Sequence, residues 1–269
     1  MLNKKKILFT IGSFEFGGAE LHLATLLPKL KEIGYNVTLL SLSDKGNLKK
    51  VFLKNNISLI LPFIKNVNEE KFFYKFVVFI NLLFSFFYIF LFSLKNRDAI
   101  LHFFLPDSYI IGGLAGVITF HKKMIMSRRS LNNYQKRNNK FLIYLELLLH
   151  KKMTAIVGNS KKVVDQLNRI ENVSHNKLYL IYNGIDKSNH AYNTSFIKKL
   201  KLTSSTLKII VVSNLVKYKG HKDLLEAISL IKDKIKVPWE LIFVGRDDGM
   251  LNELSNISYK LDINKNIRF

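Results

Sequence analysis

Four short stretches of this sequence hold residues whose types and spacing can do chemistry. Gly17-Gly18-Ala19-Glu20 follows a short apolar run and precedes a stretch of helical period. A glycine pair there lets backbone approach a ligand closely, and the free N–H groups of a following helix favour an anion. The spacing fits neither the GxGxxG fingerprint nor the Walker A loop, so on the residues alone a plain turn and a phosphate site stand level. His102 ends a later apolar run and reads either as a packed, hydrogen-bonded histidine or as a chemically active one. Arg128 and Arg129 close the next run, as solvated surface charge or as a cation that steers an anionic acceptor. The stretch Val212 to His221 carries Asn214, Lys217, Lys219 and Gly220, and Gly245 ends the following run. A lysine beside helix N-terminal amides can hold a phosphate without a metal. Cysteine is absent and no Asp-x-Asp pair occurs, so no metal site is expected.

The elements that must position these groups alternate in type. β-branched runs at 7–11, 37–42, 57–61, 99–103, 123–127, 154–157 and 178–182 are spaced by longer stretches of helical or apolar character. That is the signature of βαβ units around a mostly parallel sheet. Leu21 to Ile33 recurs at helical spacing and Gly34 stands where a C-cap belongs. A polar stretch without periodicity follows, and the alternation restarts with a strand at 207–213, a helix at 222–231, a strand at 239–245, a helix at 251–261 and a strand beginning at 266–269. The expected organisation is therefore a Rossmann-like domain over 1–185, a linker over 186–206 and a partial second unit over 207–269.

These stretches together resemble the retaining glycosyltransferases of family 4, which have the GT-B fold. Gly17-Gly18-Ala19-Glu20 is similar to the family's first loop, and Ile100-Leu101-His102 and Met126-Ser127-Arg128-Arg129 to two of its strand ends. Val157-Gly158-Asn159-Ser160 and Tyr182-Asn183-Gly184-Ile185-Asp186 look like two further marks, the latter closing the first domain. The strongest match is Val212 to His221, with Leu224, Leu225 and Ala227 and then Phe243-Val244-Gly245. The resemblance implies an α/β fold of two Rossmann-like units and a UDP- or GDP-linked sugar donor, with no other cofactor. It implies donor contacts at Gly17, Gly18, Asn214, Lys219 and Gly245, with His102 and Arg129 as candidate catalytic residues. Many members carry Arg where this chain has Asn214. The family's Glu-x7-Glu region would lie beyond Phe269, so a truncated, non-catalytic form that keeps only membrane or acceptor binding is the alternative expectation. The implied activity is transfer of a hexose or N-acetylhexosamine to a lipid-linked or glycan acceptor in bacterial surface polysaccharide synthesis, such as lipopolysaccharide or capsule.

Lys and Arg outnumber Asp and Glu by 42 to 20, a formal net charge of +22. Such a field attracts nucleic acid, anionic lipid or phosphorylated ligands, and the Lys, Asn, Ile and Phe richness of an AT-rich genome stands level with these as its main cause. The lysines are spread along the chain with no recognised nucleic-acid motif, so no nucleic-acid partner is expected. Residues 76 to 94 carry no charge over a length close to that of a spanning helix. Three readings are open: an interfacial helix, a buried domain helix or a span. Lys71, Lys75, Lys95 and Arg97 flank the stretch as at an anionic lipid surface, and Leu82 and Phe86 are expected on its membrane face. The expected location is cytoplasmic, peripheral at the inner face of the cell membrane.

Overall fold

The computed structural model describes residues 5–65, 72–132, 135, 139–184 and 206–269. The chain divides into two compact units, residues 1–187 and 188–269. The expected linker at 186–206, except Thr206, lies outside the described residues, as do Ile185, Asp186 and Lys71.

The first unit is a seven-stranded, fully parallel sheet in the order β3-β2-β1-β4-β5-β6-β7. Its strands are β1 Lys6–Ile11, β2 Asn36–Ser41, β3 Ser58–Ile60, β4 Ile100–Phe104, β5 Met124–Arg128, β6 Ala155–Gly158 and β7 Leu178–Leu180. The helices are α1 Gly18–Glu32, α2 Lys49–Lys54, α3 Tyr74–Lys95, α4 Pro106–Ile118, α5 Lys140–Lys152 and α6 Lys161–Arg169. Both faces of the sheet are covered, which is why its strands read as apolar runs. Along β1 the side chains alternate. Ile7, Phe9 and Ile11 pack with Leu23, Leu27 and Phe52 from α1 and α2, while Leu8 packs with Ile89, Tyr109 and Leu149 from α3, α4 and α5. The strand order reverses direction between β1 and β4, the place where doubly wound sheets open a crevice at their carboxyl ends.

Helix α3 is inverted for a globular protein. Its fully buried positions are Asn81, Ser85, Ile89 and Ser93, one turn apart, whereas Phe79 and Phe87 are each 56% exposed. The buried polar groups are satisfied locally. Asn81 exchanges two 2.9 Å hydrogen bonds with the backbone of Ile64, Ser85 donates to the carbonyl of Asn81, and Ser93 meets Thr119 and His121 at 2.7 and 2.8 Å. By length and composition α3 is apolar enough to cross a membrane. However, β3 before it and β4 after it belong to one sheet, and the ends of a span emerge on opposite sides of a bilayer, so α3 does not span. Leu82 and Phe86 are partly buried against the core, in contrast to the expected exposure; the outward face is Phe76, Phe79, Leu83, Phe87 and Leu91.

The second unit has a three-stranded parallel sheet, β10-β9-β8, with β8 Leu207–Val212, β9 Trp239–Val244 and β10 Ile267–Arg268. Helices α7 His221–Ile231 and α8 Leu251–Lys260 supply Leu225, Ile228 and Leu254 to a core with Trp239, Leu241 and Phe243.

Candidate functional site

At the carboxyl ends of β1, β4 and β5 the first unit gathers a cluster of rings around one cation. His102 packs between Phe9 and Phe104 with the rings tilted, centroids at 5.0 and 4.7 Å, and its Nε2 lies 2.9 Å from the Ser127 hydroxyl. His22, on the second turn of α1, stacks on Phe104 from 6.3 Å. The Arg129 guanidinium lies over the same Phe104 ring at 4.9 Å and donates to the Asn183 side chain at 2.5 Å. Its Nε is buried without a hydrogen-bond partner, and among the described residues no carboxylate pairs with it. Burial and the Arg129 charge hold both histidines neutral: His102 is lowered to about 3 and His22 to about 4. Burial lowers Arg129 to about 10, which leaves it cationic at neutral pH. A desolvated guanidinium on an aromatic face, beside imidazoles that add no charge, can pair with one oxyanion.

The surrounding backbone is built for that corner. Gly17 is the N-cap of α1, and a Cβ there would collide with the Glu20 carboxylate folded against it. Burial raises the Glu20 carboxyl above its ordinary range. A Cβ on Gly18 would meet nothing, so the helix start is open on that side. Leu105, between β4 and α4, has φ +71°, a strained value for a branched side chain, and sits just past Phe104. Asn159 donates to the Arg129 carbonyl at 3.3 Å and Ser160 caps α6 through Val163 N–H, also at 3.3 Å. The Val157–Ser160 stretch thus braces the strand end that carries Arg129.

Arg128 has a different role from its neighbour. It is buried, 2.7 Å from both Glu146 of α5 and Glu171, and Glu171 also meets His150 Nε2 at 2.7 Å. His150 Nδ1 in turn meets the Tyr109 hydroxyl at 2.7 Å, and Gln135 donates to Glu146 at 3.1 Å. Burial raises the Glu171 carboxyl, but the His150 hydrogen bond and the Arg128 charge outweigh it and hold it below its ordinary range. Glu146, His150 and Glu171 have the geometry of a metal triad, yet the Arg128 guanidinium already supplies their cation.

In the second unit β8 leads through Leu215 into a single helical turn, Lys217–Lys219, and Gly220 at φ +74° starts α7. Lys217 and Lys219 are both exposed, and the Lys219 ammonium lies 5.5 Å from the Tyr218 ring centre. Asn214 donates to Asp248 at 3.2 Å and accepts from the Arg246 N–H at 3.4 Å; Arg246 itself pairs with Asp248 at 2.7 Å. A Cβ on Gly245 would collide with the Ser213 backbone, so close strand packing alone accounts for glycine there. His221 is buried, 2.9 Å from the Ser213 hydroxyl, and its Nδ1 has no hydrogen-bond partner among the described residues.

The family model of Glycosyltransferase Family 4 matches residues 16–189, and that of Glycosyl transferases group 1 matches residues 193–269. The chain belongs to glycosyltransferase family 4. No curated protein matches its sequence. Among solved structures it is similar to a glycosyltransferase from Rickettsia africae, at 21% identity and a TM-score of 0.66 over 99% of this chain and 68% of that one. It is also similar to Anabaena HepE in complex with UDP and glucose, at 15% identity and TM-score 0.76 over 98% and 68%. WaaG, a glycosyltransferase involved in lipopolysaccharide biosynthesis, matches at 14% identity and TM-score 0.61 over 98% and 69%. The fold is that of the GT-B glycosyltransferases, with a seven-stranded sheet in one unit and a three-stranded sheet in the other. His102 and Arg129 come together in the first unit with Gly17 and Gly18 at the same sheet edge, and Asn214, Lys219 and Gly245 share the strand ends of the second. Sequence reading missed His22, Phe104 and Arg246. His22 lies two residues past Glu20, on the side of α1 that its helical period already turned towards the sheet.

Proposed function

We propose that this family 4 transferase moves a hexose or N-acetylhexosamine, with retention, from a UDP- or GDP-sugar to a lipid-linked acceptor at the inner face of the bacterial membrane. In that reaction the bond from the sugar's anomeric carbon to the diphosphate breaks. A bond to the acceptor oxygen forms, and the acceptor's proton leaves with the nucleoside diphosphate. Lys219 and the N–H groups at the start of α7 neutralise the departing diphosphate, and Arg129 holds an anionic group of the acceptor. The sugar nucleotides bound by HepE support the donor class, and the pathway of WaaG supports the acceptor class.

The observation that carries the reading beyond the family is the inverted helix α3. A helix that buries Asn81, Ser85 and Ser93 and exposes phenylalanines is unfavourable in water and favourable when the outward face enters the acyl boundary of a bilayer. A net charge of +22 complements an anionic leaflet. The test has two parts. The chain should sediment with phosphatidylglycerol vesicles, and it should release UDP or GDP from a sugar nucleotide when a polyisoprenyl-phosphate-linked sugar is added. Release that is unaffected by the lipid-linked acceptor would refute the acceptor assignment.

A further inference from the structure

We infer that the cavity between the ends of β1 and β2 and helices α3 and α4 is the binding site for the hydrocarbon chain of the lipid acceptor. The inference rests on the lipid-acceptor reading above and names where that lipid's apolar part goes.

The cavity has a volume of about 490 Å³, within the range of sites that enclose a small ligand. Its apolar wall is formed by Leu42 after β2, Val78 and Leu82 on α3, and Ile110 and Ile111 on α4, and Asp44 and Lys45 also line it. Apolar wall left against water is unfavourable, and an apolar occupant relieves that cost. The wall on the α3 side is pinned, because Asn81 holds the Ile64 backbone with two 2.9 Å hydrogen bonds. Val78 lines the cavity and is also exposed, next to Phe79 on the outward face of the helix. One helix therefore presents apolar surface outward and apolar lining inward, a route along which a chain leaves a bilayer without crossing water. The lining also includes polar groups. Gly12, directly after β1, and Asp107, in the first turn of α4, lie at the carboxyl edge of the sheet, the edge that also carries Arg129. An amphiphile with its chain against α3 and α4 would therefore have its head group at the reacting edge.

The test uses hexanol, octanol and decanol as uncharged chain probes, titrated into the full chain by calorimetry. Affinity should rise about fourfold for each methylene buried. A Cβ on Gly12 meets nothing within 4 Å and Gly12 lines the cavity, so Gly12→Leu adds side-chain volume there, and Val78→Trp does so from the rim. Each should weaken decanol binding by tenfold or more with an unchanged melting temperature, whereas Phe87→Asp should leave it unaltered. Two variants on different elements keep the test decisive if one fails to fold. Equal decanol affinity in the parent and in a folded cavity variant, or no dependence on chain length, overturns the inference. Sedimentation with phosphatidylglycerol vesicles separates this from failure of the underlying reading. Vesicle binding without cavity-dependent alkanol binding sinks the cavity assignment and leaves membrane docking standing. Cavity-dependent alkanol binding without vesicle binding sinks the lipid-acceptor reading, and with it the occupant named here.

Discussion

Arg128 and Arg129 are adjacent in the sequence and opposite in circumstance, because successive residues of a strand face opposite sides of the sheet. Met124 and Met126 point towards α4 and α5, so Arg128 does too and meets Glu146 and Glu171; Arg129 points with Ser127 towards α1, where no acid waits among the described residues. Removing one partner of a buried ion network typically costs about 3 to 5 kcal/mol. Arg128→Ala should therefore lower stability by that order in urea unfolding, while Arg129→Ala should leave stability nearly intact and weaken anion binding. A charge-assisted hydrogen bond is worth roughly 1.5 to 3 kcal/mol, so sulfate affinity at the first unit should fall about tenfold or more. Lys219→Ala should weaken UDP or GDP binding by about the same factor, with Lys217→Ala as the control that removes equal charge from the same exposed turn. Equal losses from both would mean that the diffuse field, not a placed lysine, binds nucleotide. The histidines give a pH signature. The unfolded chain takes up their protons near pH 6.5, whereas the folded chain resists until about 4 at His22 and about 3 at His102. The stability linked to their neutrality is complete above pH 6.5 and is lost as pH falls towards 3. Melting temperature should decline over that interval, less steeply in His102→Asn.

At the scale of elements, the strands among the described residues are visible in the sequence as short apolar runs, and in the first unit the reason is a parallel sheet covered on both faces, which needs apolar residues throughout. One turn glycine was legible as well: Gly34, past α1, has φ +99°. The orientation of α3 was not. Its stretch is apolar nearly all round, so periodicity could not say that the inward stripe is Asn81, Ser85, Ile89 and Ser93, and Leu82 and Phe86 turn out partly buried. The division of labour between Arg128 and Arg129 was recoverable in principle from strand parity, since Met124 and Met126 already marked the core side. The ring cluster around Arg129 was not, because His22 comes from a helix 80 residues away from His102 and only the fold brings both onto Phe104. The inverted helix makes its own prediction. Phe79→Asp with Phe87→Asp should weaken sedimentation with phosphatidylglycerol vesicles and abolish the part that persists at high salt, without lowering the melting temperature, as both side chains are mostly exposed. Ser85→Leu should do the reverse, overpacking a fully buried position at a cost of about 1 to 3 kcal/mol while vesicle binding persists in the folded fraction.

At the scale of the whole molecule, the +22 charge and the apolar face of α3 are two separate sources of membrane affinity, and ionic strength distinguishes them. Attraction of a basic surface to an anionic leaflet falls off within a Debye length, about 10 Å at 0.1 M salt and about 3 Å at 1 M. Burial of phenylalanine side chains is not screened by salt. Sedimentation with phosphatidylglycerol vesicles should therefore weaken steeply between low and high salt but level off above zero. Sedimentation with phosphatidylcholine vesicles should be weak and nearly independent of salt. The plateau is the contribution of α3, and it should vanish in the Phe79→Asp, Phe87→Asp variant while the salt-sensitive part remains. If the parent loses all vesicle binding at high salt, charge alone holds it at the surface and the outward phenylalanines serve some other contact. A variant that keeps the plateau would place the apolar anchor elsewhere than α3. The two sources also act at different steps, since long-range charge sets how fast the chain reaches an anionic surface and apolar burial sets how slowly it leaves. Stopped-flow mixing with vesicles should show the arrival rate falling with salt in parent and variant alike, and the departure rate rising in the variant alone.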